Sequence, residues 1–246
     1  MTDDPKLLMI ALVAAVCIGV AKAGFTGISM VSVVLLAEVY GEKASVGLAL
    51  PLLIAADLMA YPAFMKHGSW KPVWKLLPAT LVGLALGWWL LGEIDDNVAR
   101  RIIGGCVLLR VLIQAFRNLK PVFFDELADS RGIGVAAGAI GGFSTMLANA
   151  AGPVIQLYFL ARRLPKMEMI GIGARFFLLV NVIKIPLNAR LALITPDSLW
   201  ENAKLVPGVF VGIVLGRFLI GRVPQAAFEW MVVAFSAAAA VWLLWV

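Results

Sequence analysis

Three charged side chains stand inside apolar sequence: Lys22 in GVAKAGFTGIS (residues 19 to 29), Asp57 at the end of ASVGLALPLLIAAD, and Arg175 in GIGARFFLLV. An ionisable group in hydrocarbon costs a few kcal/mol on insertion scales, and such groups mark substrate or ion pathways by default. Lysine offers a compact cation, and the planar fork of arginine suits two-point contact with sulfonate, carboxylate or phosphate-like groups. The backbone after Lys22 is weakened by glycine, and a fresh helix is expected from Gly27, with Thr26 and Ser29 near its start. A helix N-terminus presents unpaired N–H groups and a partial positive charge, so it binds anions. A second break, STMLANAAGP (Ser144 to Pro153), supplies Ser144, Thr145 and Asn149 as donors, and Pro153 is expected to open the next helix. Together these residues describe a pocket for a small oxyanion.

Asp57 keeps two readings open. It can form a structural ion pair with Lys22 or Arg175, or it can carry a coupling proton, and substrate binding to the lysine would release it. Lys184 is expected to snorkel from its span end and Arg110 to anchor at the interface. Tryptophans at span ends, such as Trp70, Trp74, Trp200 and Trp245, read as an interfacial belt.

The elements that must position these groups are membrane spans. Of 246 residues, 62% are hydrophobic and 15% charged, well below the ~25% charged of a soluble domain. Several runs approach the ~20 apolar residues that cross a bilayer. The net charge of +6 comes from basic residues at the ends of apolar runs, which is ordinary membrane flanking and no sign of a nucleic-acid partner. No removable signal peptide is expected, because Met1 to Lys6 has no basic cluster and no small-residue cleavage pattern follows the first apolar run. Cys17 and Cys106 lie in apolar segments and His67 is the sole histidine. No metal site, cofactor or disulfide framework is therefore expected. Neither a Ser/His pair nor a His/Cys/Asp cluster is present, so the chain reads as no enzyme.

The chain also repeats itself. KLLPATLVGLALGWWLLG (Lys75 to Gly92) and KLVPGVFVGIVLGRFLIG (Lys204 to Gly221) share nine of 18 positions at an offset of 129. Gly47, Asp57 and Pro62 meet Gly171, Asn181 and Pro186 at an offset of 124. Such a duplication divides the chain into a first membrane repeat, 1–116, a connecting loop, 117–131, and a second repeat, 132–246. Each half holds three clear spans: Ala44 to Met65, Val73 to Gly92 and Val98 to Phe116, then Met167 to Ala189, Leu199 to Gly221 and Gln225 to Val246. Ahead of them lie Leu7 to Ala23 with Gly27 to Val39, and Gly132 to Asn149 with Pro153 to Leu160. If each leading segment doubles back, the 17 basic residues outside spans divide 11 inside to 6 outside, against 9 to 8 for single crossings, which favours doubling back. The expected fold is thus an all-α integral membrane protein of two inverted repeats, each a broken or re-entrant helical hairpin followed by three transmembrane helices.

The Gly-rich GVAKAGFTG, the stretch ASVGLALPLLIAAD, the break ANAAGP (Ala148 to Pro153) and LPKMEMIGIGARFFLLVNVIKIP (Leu164 to Pro186) together resemble the sulfite exporter TauE/SafE family, also called the toluene-sulfonate uptake permeases. The resemblance places Lys22 and Gly24 in the first motif, Asp57 in the second, and Gly152 and Pro153 in the third, where Val154 replaces the usual second proline. It implies secondary transport of sulfur-containing or organic anions such as sulfite or sulfonates and leaves the direction open; the expectation adopted is an exporter, coupled through Asp57 to protons or another ion such as sodium. It also implies a multi-pass protein of the bacterial inner membrane, with the lipid bilayer and a small anionic substrate as partners and a homodimer left open. No ATP-binding P-loop occurs in the chain. The rival reading is a membrane assembly or chaperone-type subunit without transport activity of its own.

Overall fold

The computed structural model describes residues 4–25, 28–95, 97–98, 101–102, 105, 131–162, 164–219 and 222. Eight helices are delimited among them: α1 (Pro5–Lys22), α2 (Ser29–Tyr40), α3 (Glu42–Phe64), α4 (Lys71–Glu93), α5 (Arg131–Ala148), α6 (Ala151–Ala161), α7 (Lys166–Arg190) and α8 (Pro196–Leu219). The expected third span of each half, Val98 to Phe116 and Gln225 to Val246, lies almost wholly outside the described residues. So does the 117–131 connector, save Arg131, which already belongs to α5.

Five helices, α1, α3, α4, α7 and α8, are long and apolar enough to cross a membrane. The protein is a multi-pass membrane protein, and its regular structure among the described residues is all helical. At 1.5 Å per residue α2 and α6 reach only ~16–18 Å, too short for ~30 Å of hydrocarbon. Prolines lie inside α3, α4, α7 and α8, where neighbouring helices can satisfy the backbone groups a proline frees. Two proline pairs, Pro62 with Pro186 and Pro78 with Pro207, keep the repeat offsets of 124 and 129.

Apolar side chains gain little from leaving lipid, so spans associate by close backbone approach over small residues. The glycines show which helices do so. Gly19 of α1 lies against the backbone of Val209 and Gly212 of α8, and Gly216 lies against Val20 and Ala23. In α4 and α5, Gly83 meets Ala139 and Phe143, while Gly87 meets Phe143 and Met146. In both pairs the numbers rise together, so α1 runs parallel to α8, and α5 to α4. Each leading helix packs on the fourth helix of the opposite half. Between the halves, Gly47 of α3 meets Leu193 and Gly171 of α7 meets His67, so α3 and α7, which are repeat equivalents, run antiparallel. Gly134 lies beside Tyr158 and Gly141 beside Ile155, so α6 folds back along α5.

The expected helix limits hold to within about a turn, with one difference at the second break. Pro153 does not open α6; the helix starts at Ala151 and Pro153 is its third residue. A proline anywhere in the first turn lacks only an N–H that has no intrahelical acceptor.

Candidate functional site

The first break begins where α1 ends at Lys22. Ala23 donates its N–H to the carbonyls of Gly19 and Val20, and Gly24 donates to Ala21. Gly24 has φ 119°, in the region that favours glycine, and this frees the chain from the helix. Thr26 and Gly27 lie outside the described residues. Ser29 opens α2, and its carbonyl accepts from Ser32 Oγ at 2.7 Å.

Ending α1 at Lys22 aims its ammonium at α3. Lys22 Nζ stands 2.6 Å from Asp57 Oδ1 and 4.9 Å from the centre of the Phe177 ring, a cation–π contact. The other carboxylate oxygen, Asp57 Oδ2, accepts from Asn181 Nδ2 at 2.8 Å. Asp57 is only 1% exposed, against 14% for the Lys22 side chain, so the lysine is the more exposed partner. Asn181 is the repeat equivalent of Asp57, and each is the sixteenth residue of its helix. The two positions therefore meet where antiparallel α3 and α7 cross. Of the two ion-pair partners open to Asp57 in the sequence, the structure selects Lys22.

The second break is tighter. Only Asn149 and Ala150 separate α5 from α6, and Asn149 takes φ 51°, a left-handed conformation that asparagine tolerates better than most residues. Its Nδ2 donates to the Val46 carbonyl of α3 at 3.1 Å, which turns Oδ1 toward α7. There Lys184 Nζ donates to Asn149 Oδ1 at 2.5 Å, to the Thr145 carbonyl at 2.6 Å and to Thr145 Oγ1 at 3.4 Å. This overturns the expectation that Lys184 snorkels to an interface. It is 0% exposed, because the tip of the second hairpin folds over it and supplies its acceptors.

Arg175 is placed differently from the anion-ligand expectation. Its Nη1 donates to the carbonyls of His67 and Gly171, each at 2.7 Å, and its Nη2 to the carbonyl of Met65. The guanidinium thus caps the C-terminal end of α3, where a cation complements the helix dipole. Ser144 contributes its carbonyl to Ala150 N at 3.3 Å and faces neither of the cavities described next.

One cavity of about 40 Å³ is lined from both breaks: Lys22 and Ser29 come from the first, Thr145, Asn149 and Gly152 from the second, with Phe177 and Asn181 from α7. A second, also of about 40 Å³, lies across the ion pair and is lined by Lys22, Gly24, Asp57, Gln156 and Phe177 among others. Lys22 and Phe177 belong to both walls. Of the sequence-derived set, Lys22, Gly24, Ser29, Asp57, Thr145, Asn149 and Gly152 come together, while Arg175 and Ser144 stand apart.

Asn181, Lys184 and Phe177 were not singled out from the sequence as site residues. A signal was present: Phe177, Asn181 and Lys184 follow at i, i+4 and i+7, one face of a helix, and Asn181 replaces the duplicated aspartate.

Crossed helix pairs, interrupted helices and buried charges around an internal cavity define a polytopic membrane protein of the transport type. The chain belongs to the sulfite exporter TauE/SafE family, whose model matches residues 10–243. That family is one of membrane anion exporters. No curated protein and no solved structure matches the chain.

Proposed function

We propose that this protein is a secondary transporter of small sulfur-containing or organic anions, such as sulfite or sulfonates, working as an exporter in the bacterial inner membrane. The observation that carries the reading is the cavity lined from both helix breaks, with Lys22 at its wall. Helix starts at Ser29 and Ala151 bring backbone donors to that region, and Lys22 supplies the charge that draws an anion in.

The two halves are inverted repeats in the bilayer. Antiparallel α3 and α7 support this, since a duplicated helix can oppose its copy only if the second half is turned over; the parallel pairs, α1 with α8 and α4 with α5, are compatible with it. Alternating exposure then moves the hairpins against the remaining spans. An arriving anion competes with Asp57 for Lys22, and its departure lets the ion pair re-form. Because Lys22 and Phe177 line both cavities, that exchange opens and closes the route between them. Asp57, released from Lys22, takes up the coupling proton.

Flux of labelled sulfite and sulfoacetate into proteoliposomes tests the assignment. Transport of either above protein-free vesicles is the expected result; a well-folded protein that moves neither belongs to the assembly-subunit class instead. Inversion predicts that a cysteine at Leu164, in an otherwise cysteine-free protein, reacts only with reagent added from the cytoplasmic side. Labelling from the outside alone contradicts it. The coupling role predicts that Asp57→Asn uncouples flux from an imposed proton gradient while anion exchange continues, and a gradient response equal to wild type contradicts that role.

A further inference from the structure

A third cavity lies beyond the second break. It measures about 10 Å³, room for roughly one water molecule, and Ser32, Ser45 and Ala49 line it with Ser29, Leu53 and Asn149. The last three also line the cavity shared by both breaks, which in turn shares Lys22 and Phe177 with the cavity across the ion pair. The three voids therefore stand in a row, with the two-break cavity in the middle.

The order of lining residues along the helices confirms the row. On α3, Ser45, Ala49 and Leu53 border the third cavity, Leu53 the middle one, and Asp57 and Ala60 the one across the ion pair. These five positions follow at i, i+4, i+8, i+12 and i+15, one face of the helix. They extend over about 22 Å, most of the ~30 Å of hydrocarbon. On antiparallel α7 the order is reversed: Gly173 and Phe177 border the cavity across the ion pair, and Phe177 and Asn181 the middle one.

Asn149 stands at the wall between the middle and third cavities. Its Nδ2 donates to the Val46 carbonyl of α3, and its Oδ1 accepts from Lys184 of α7. One side chain thus ties together the two helices that flank the row, and it does so whether the lysine is an ammonium or a neutral amine. The cavity behind it has about a quarter of the volume of either neighbour, too little for a tetrahedral oxyanion.

We infer that the third cavity is the far half of the transport route and that Asn149 is the gate to it, opposite the wall formed by Lys22 and Phe177. This rests on the transport reading above and adds the second gate that alternating exposure requires. An anion oxygen is a stronger acceptor than a neutral carbonyl, so an anion in the middle cavity draws Asn149 Nδ2 off Val46 and frees this wall. The tip can yield because only Asn149 and Ala150 join α5 to α6. The far end of the route is the turn between α2 and α3, on the side opposite Leu164, since α3 and α7 run antiparallel.

Filling the third cavity tests the route. Ala49 and Ser45 border that cavity and neither of the others. In the purified full-length protein, Ala49→Val is expected to keep binding of labelled sulfite, displaced by methanesulfonate, within about threefold of wild type. Flux in proteoliposomes should fall at least about tenfold, as a small steric barrier slows a rate. Ser45→Val fills the same space from another residue and should do the same. Wild-type flux in either folded variant overturns the inference and leaves the transport reading standing, whereas a wild type that moves neither sulfite nor sulfoacetate overturns both. The gate is read independently by labelling a cysteine at Ala21, which lines the middle cavity and the one across the ion pair, in an otherwise cysteine-free protein. A small anionic thiosulfonate added on the far side should modify it at least about tenfold faster in Asn149→Ala than with Asn149 present, with no change from the near side. Equal far-side rates, or equal acceleration from both sides, overturn the gate.

Discussion

Lys184→Met is expected to lower anion affinity by about tenfold or more, because Lys184 fastens Thr145 and Asn149, which line the cavity shared by both breaks. Methionine fills nearly the same volume, so the packing around α7 is largely kept. The Thr145 carbonyl and Asn149 Oδ1 lose their donor, and an unsatisfied buried acceptor costs about 1–3 kcal/mol. The tip of the second hairpin should therefore loosen, with faster amide exchange over residues 145–152. Asn149→Ala, which removes one of the same contacts and leaves Lys184 in place, should loosen the tip in the same direction. Binding measured by competition with methanesulfonate, alongside hydrogen exchange, checks both. Wild-type affinity in Lys184→Met would mean that the fastening of the tip does not shape the anion cavity.

Lys22→Ala should abolish flux and also destabilise the protein. Removing one member of a buried ion pair leaves the other charge uncompensated, at a cost of about 3–5 kcal/mol in soluble proteins. Asp57 would then keep only the amide of Asn181 and the distant field of Lys184. In Lys22→Ala/Asp57→Asn both charges of the pair are gone, and the thermal midpoint should return to near that of wild type. With the fold restored, the double variant separates the loss of the Lys22 charge from the loss of stability. Flux should stay at background, because the group that exchanges Asp57 for substrate is absent. Wild-type flux in the double variant would remove the ion pair from the mechanism.

These variants differ from what reading Lys184 as an interfacial residue would suggest, and the reason is physical. A lysine six residues from the end of a 25-residue helix has reach enough to snorkel, and along its own helix nothing says otherwise. What buries it is the tip of a hairpin 35 to 39 residues away in sequence. Arg175 shows the converse. A guanidinium in an apolar span suggests an anion ligand, but it stands beside the end of α3, where carbonyls without intrahelical partners take up its donors.

Much was nonetheless legible from the residues alone. Composition and apolar run length determine a multi-pass helical membrane protein, because only closed hydrogen bonding survives in hydrocarbon. The offsets of 124 and 129 betray the duplication, and glycine, asparagine and proline mark both breaks, since these residues weaken a helix wherever they stand. Lys22 and Asp57 were visible as costly charges in need of partners. Only the tertiary structure decided which partners they have. Asp57 with Asn181, Lys184 with Asn149, and Arg175 with the end of α3 are contacts across 108 to 124 residues or between a span and a folded-back tip. Such contacts depend on how small residues let particular helices approach, and periodicity within one helix carries no information about its neighbour.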